Sequence, residues 1–167
     1  MGQMSINMDK IMEIFYEYPR KEFTVRELSK MTKVPKSTVQ KYLAELKKDK
    51  IIETNQASDS RIFKIRKINY FIEKIVSSGL IEYLEKELIP SCIILFGSFR
   101  KGESDKDSDI DLFVETIKKK EINLEQFEKK LKHKIQLFIE EDINKLQPHL
   151  LNNVINGIKL SGSFKIK

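Results

Sequence analysis

The sequence predicts an α+β chain in two parts, and three observations carry that expectation. In residues 1–68 the apolar positions recur at helical spacing in three successive stretches and then give way to a hairpin-like pattern. From residue 91 onward the pattern becomes strand, loop, strand, helix, strand. The charge divides at the same place. Residues 1–68 hold 15 Lys and Arg against 9 Asp and Glu, an excess of six, whereas residues 69–167 hold 16 of each. All of the net positive charge therefore lies in the first part, as it would if that part faced a polyanion and the second did something else.

The first helix is expected from Met8 to Tyr18, where Met8, Ile11, Met12 and Phe15 share one face and Pro19 ends the pattern. A second follows in FTVRELSKMT, with Thr24 as N-cap and Val25, Leu28 and Met31 facing inward. KVPKSTVQKYLAELKKDK supplies a turn and a third helix that buries Val39, Leu43 and Leu46. IIETNQASDSRIFKIRKI then reads as a hairpin, with apolar strands at 51–52 and 62–65. Residues 69–90 form an amphipathic helical connector, broken at Gly79 and closed by Pro90. Strands are expected at 92–96, 109–114 and 134–139, and a helix at 124–131. A last helix at 148–156 leads to a short strand at 158–160.

Helix, helix–turn–helix and β-hairpin in that order resemble a winged helix, a DNA-binding fold. The resemblance covers about residues 5–68. It implies that the third helix enters the major groove of duplex DNA. Lys36, Ser37, Thr38, Gln40 and Lys41 would then face phosphates and base edges, and Arg61 and Lys64 would add backbone contacts from the second wing strand. The alternative is a lysine-rich solvated helix in a structural or protein-binding domain.

The second part contains LFGSFRKGESDKDSDIDLFV, residues 95–114. A P-loop is excluded there because Glu103 stands at the lysine position and would repel phosphate. A calcium loop from Asp105 is excluded because Ile110 replaces the turn glycine and Thr116 the final glutamate. What remains is a pair of aspartates on a strand. Residues two apart point the same way, so Asp109 and Asp111 project together while Ile110 and Leu112 face the core. Two adjacent carboxylates repel unless a cation sits between them, and oxygen ligands of this kind suit Mg²⁺ or Mn²⁺ with substrate phosphates completing the shell. Gly97 lets backbone approach a phosphate, and Ser98 offers a hydroxyl and an N–H at a helix start.

Leu95-Phe96-Gly97-Ser98, a spacer of ten residues, and Asp109-Ile110-Asp111-Leu112 resemble the signature of the DNA polymerase β superfamily of nucleotidyltransferases. The chain is similar to its minimal members over about residues 80–162, including NGIKLSG, which is similar to their final strand. The resemblance implies a small mixed β-sheet of nucleotidyltransferase type with flanking helices over 91–167. It also implies that Asp109 and Asp111 bind metal and serve catalysis, that Gly97 and Ser98 bind an NTP, and that a nucleoside monophosphate passes to an acceptor, a protein being one candidate. Arg100 and Lys101 are either charge neutralisers or solvated loop residues.

In one position the chain departs from that family. A third carboxylate is expected on the next core strand, and HKIQLFIEED places Gln136 there; Glu140, four residues on, is the other candidate. An amide ligates metal poorly and cannot act as a base near neutral pH. The expectations are therefore an enzyme that transfers a nucleoside monophosphate to an acceptor hydroxyl, or a transcriptional regulator whose degenerate domain senses nucleotide without turnover. The single cysteine, Cys92, is expected in a buried strand, and His133 and His149 at the surface or at helix ends. With no apolar run of membrane-spanning length and no signal pattern, the expected location is cytoplasmic.

Overall fold

Ile11 and Met12, four and three residues before Phe15, form with it the buried stripe of α1 (Gln3–Glu17). The computed structural model that places them describes residues 3–166. Two units are distinguished in it, with the boundary between Lys67 and Ile68, inside a helix.

In the first unit, α2 (Val25–Thr32) begins with a capping box. The Glu27 N–H donates to Thr24 Oγ1 at 3.2 Å and the Thr24 N–H donates to Glu27 Oε2 at 2.8 Å. Leu28 is buried, but Met31, expected inside, is 44% exposed. Thr32, a full i+4 step from Leu28, takes the inner position instead, and its hydroxyl donates to the Leu28 carbonyl at 2.6 Å. In α3 (Lys36–Lys48), Val39, Leu43 and Leu46 are buried as expected, together with Tyr42.

The hairpin is shorter than the sequence suggests. It pairs β1 (Ile52–Glu53) with β2 (Gln56–Ala57), antiparallel, in the register Ile52↔Ala57. Residues 62–65 are not its second strand: they lie in α4 (Arg61–Ser77). Ser60 starts that helix, accepting the Phe63 N–H at its hydroxyl and the Lys64 N–H at its carbonyl. The four residues Ile62–Ile65 read as extended only in a short window. Over a longer one, the buried Phe63, Phe71 and Ile75 fall at multiples of four, a helical period. Arg61 and Lys64 are therefore helix residues, and the Lys64 ammonium pairs with Asp59 at 2.6 Å.

The second unit takes up α4 from Ile68, and Gly79, at φ +84, separates it from α5 (Leu80–Leu88). The chain then runs through β3 (Cys92–Phe96), α6 (Gly97–Lys101), β4 (Ile110–Glu115), α7 (Glu125–Leu131), β5 (Ile135–Glu140), a 3-10 turn at 143–145, α8 (Pro148–Ile155) and β6 (Ile158–Gly162). The sheet order is β5-β4-β3-β6. β3 is antiparallel to both neighbours, while β4 and β5 are parallel, joined by the crossover that contains α7. This mixed sheet with flanking helices fits a nucleotidyltransferase-type domain.

Both faces of β3 and β4 are packed. Cys92, Ile94, Phe96 and Phe113 form one core with Ile143 and Val154, while Ile93, Leu95, Ile110, Leu112 and Val114 are buried on the opposite face. Burial pushes the Cys92 thiol up to about 11, as an inert core residue requires. Phe113, two residues from Asp111 on the same face, is fully buried, so the middle of that face is closed while the beginning of β4 is open to solvent. Asp109 and Asp111 sit at that open end.

Candidate active site

β3 ends at Phe96, whose register partner on β4 is Asp111. The next residue, Gly97, turns into α6 at φ +69, a left-handed conformation that side chains disfavour. A second constraint acts on the same atom. A Cβ on Gly97 would lie 1.9 Å from Asp111 Oδ2 and 2.9 Å from its Cγ. The carboxylate of Asp111 thus rests directly against the bare α-carbon of Gly97. On the side where a Cβ would project, Gly97 meets the Asp111 carboxylate, and Ser98, half-buried beside it, is the polar group at the start of α6.

Asp109 lies one residue before β4 and is exposed, whereas Asp111 is half-buried within the strand. Burial, and secondarily the negative charge of Asp109, raises the Asp111 carboxyl above its ordinary value. The site therefore brings two like charges together.

The parallel register aligns Asp111 with Gln136, whose side chain is exposed. Gln136 is thus the residue of β5 that stands beside the aspartates. Glu140 does not replace it: it aligns with Glu115 at the far end of both strands, four residues or about 13 Å along at strand spacing. Among the described residues, no group of three or more His, Cys, Asp and Glu side chains is arranged to hold a metal. Two carboxylates are what this end of the sheet offers.

The loop before Asp109 is tied to itself. Asp105 Oδ1 accepts from the Asp107 N–H at 3.2 Å and from the Ser108 hydroxyl at 3.0 Å. Arg100 and Lys101 form the last turn of α6. His133, expected at the surface or at a helix end, lies at a helix end, just after the left-handed Lys132 that ends α7, but it is buried there, edge-on to Phe71 and Phe99. Nothing in local periodicity points to it, because its partners come from three distant segments. His149, by contrast, lies in the first turn of α8 and is exposed.

A family model described as the nucleotidyltransferase domain matches residues 77–167. The chain belongs to this family. Comparison with curated proteins and with solved structures gives no match. The nucleotidyltransferase domain thus comprises α5, the four-stranded sheet and the helices between its strands, with a nucleotidyl-transfer type of function. Nucleotidyltransferase domains act with an NTP and a divalent metal. The donor set fits such a metal in kind: hard carboxylate oxygens, two in number, at a solvent-open sheet end, with a charge repulsion that a cation would relieve.

In the first unit, Lys36, Ser37, Gln40 and Lys41 of α3 are exposed and Thr38 is half-buried. Lys47 and Lys48, which the sequence pattern does not single out, are also exposed, in the last turn of the same helix. Arg61 is exposed at the start of α4 and is not on a wing strand. Among the described residues, no helix is long and apolar enough to cross a membrane.

Proposed function

We propose that this chain is a cytoplasmic DNA-binding protein whose nucleotidyltransferase domain binds an NTP with Mg²⁺ or Mn²⁺ and transfers a nucleoside monophosphate to an acceptor hydroxyl. The observation that carries the proposal is the seating of Asp111 against Gly97, which joins the Gly-Ser turn and the aspartate pair into one site. Asp109 and Asp111 would hold the metal; Gly97 and Ser98 would hold phosphate oxygens, Gly97 by its backbone and Ser98 by its hydroxyl and N–H. When bound, the metal supplies charge neutralisation at the phosphates. The protein's own part is to keep two carboxylates together beside the end of β3 and the start of β4, the two strands packed on both faces.

Gln136 limits what the site does next. Its amide cannot accept a proton near neutral pH, so the attacking hydroxyl receives no general-base help from this position. That observation favours a second reading: a regulator in which nucleotide binding, without turnover, is the signal. The first unit supports either reading. Three helices followed by a short hairpin form an arrangement similar to a winged helix, and the outward residues of α3 suit phosphates and base edges. A protein acceptor is one candidate for the transfer reading.

Incubation of the protein with Mg²⁺, cell extract and NTPs labelled at the α-phosphate tests the transfer reading. Label incorporated into a macromolecule, and lost in Asp109→Asn, supports an enzyme. Tight NTP binding with no incorporation supports the sensor.

A further inference from the structure

We propose that His133 is a positioning residue for Asp109, holding in place the main chain from which that carboxylate projects. The proposal rests on the reading of Asp109 and Asp111 as the nucleotide–metal site.

Asp109 itself is exposed and lies outside β4, so its own side chain and strand pairing do not fix it. Its two flanking peptides are fixed instead, both by consecutive residues after α7. On one side, His133 Nδ1 lies 2.9 Å from the Ser108 carbonyl oxygen. A carbonyl only accepts, so Nδ1 carries the proton and donates. On the other side, the Ile110 N–H donates to the Lys134 carbonyl at 2.8 Å. Asp109 is thus bracketed, and the His133 contact is the one made by a side chain.

The imidazole is in turn held by packing. His133 is 4% exposed, with ring centroids 5.6 Å from Phe71 and 5.0 Å from Phe99, nearly perpendicular to both. Phe71 and Phe99 are themselves 4.8 Å apart in the same edge-to-face manner. Phe99 lies in α6, one residue after Ser98. One buried aromatic cluster therefore touches both halves of the signature: it packs the helix that carries Gly97 and Ser98, and through His133 it tethers the peptide before Asp109.

The test is Mn²⁺–ATP affinity, measured by titration, alongside the melting temperature of the metal-free protein. His133→Phe keeps the ring contacts and deletes the donor; His133→Asn restores a donor near the Nδ1 position; Asp109→Asn reports on the site itself. The expected result is that His133→Phe weakens Mn²⁺–ATP binding about fivefold, the scale of one net hydrogen bond. His133→Asn should recover most of that affinity even if its melting temperature is lower. Unchanged affinity in His133→Phe, with weaker binding in Asp109→Asn, overturns the positioning role alone. Unchanged affinity in Asp109→Asn overturns the site reading, and this proposal with it. Should His133→Phe fail to fold, nitrogen NMR of the wild-type imidazole decides: Nδ1–H must be the protonated form and must shift when Mg²⁺–ATP binds. An Nε2–H tautomer, or no shift, refutes the proposal.

Discussion

Gln136 stands directly beside Asp111 in the parallel register of β4 and β5, at the strand end where solvent reaches the sheet. An amide, not a carboxylate, is therefore the nearest β5 side chain to the aspartate pair. Gln136→Glu adds a third anionic oxygen ligand and a base. Metal affinity is expected to rise, and any transferase rate to equal or exceed the wild-type rate, up to the roughly 10²–10⁴ typical of general-base assistance. The check is a paired measurement of Mn²⁺ affinity and labelled-NTP turnover. Robust wild-type turnover that disappears in Glu140→Gln would contradict this, since Glu140 lies at the far end of β5.

Gly97→Ala is expected to disturb the site more than its size suggests. The left-handed backbone costs a non-glycine residue about 1–2 kcal/mol. The new methyl also meets Asp111 Oδ2 at 1.9 Å, so the carboxylate must move. Denaturant unfolding should show the drop in stability, and Mg²⁺–NTP binding should fall with it. A variant as stable as wild type with unchanged binding would contradict the close seating of Asp111 on Gly97.

The raised carboxyl of Asp111 sets a pH dependence. The folded state binds this proton more tightly than the unfolded chain does. The stability it contributes is fully present below the ordinary carboxylate range and is lost as pH rises through the folded value. In a metal-free buffer, Asp111→Asn should therefore melt higher than wild type at neutral pH, with the difference shrinking as the pH falls into the carboxylate range. Calorimetry across that range checks it; a variant that melts lower at neutral pH goes against it.

These residues also mark what is legible in the chain. The strand, the Gly-Ser turn and the spaced aspartates are readable because each is a local pattern: an apolar run, a turn residue, a period of two. The second wing strand misleads because Ile62–Ile65 is ambiguous over four residues and its helical period shows only when Phe71 and Ile75 are included. Met31 misleads because Thr32, with its hydroxyl bonded to the preceding turn, can be buried in its stead. The burial of His133 and the contact of Gly97 with Asp111 are not readable at all, since both depend on segments that meet only in the folded domain.

For the first unit, duplex DNA binding with strong salt dependence is expected, because its excess of six positive charges would displace condensed counterions. Lys36→Ala with Lys41→Ala, both exposed on α3, should weaken binding. The log–log salt slope should also fall by about two, near one for each phosphate no longer neutralised. Affinity measured at several salt concentrations with the full chain checks this. Binding that ignores salt, or none, contradicts a DNA-reading role.

Thermal unfolding with and without Mg²⁺–NTP decides whether Asp109 and Asp111 are the nucleotide–metal site. A ligand that binds only the folded state raises the melting temperature by mass action. The wild-type protein should show that rise, and the double variant Asp109→Asn, Asp111→Asn should fold, melt no lower without ligand, and show none. An undiminished rise in the double variant would contradict the assignment of the site to these two residues.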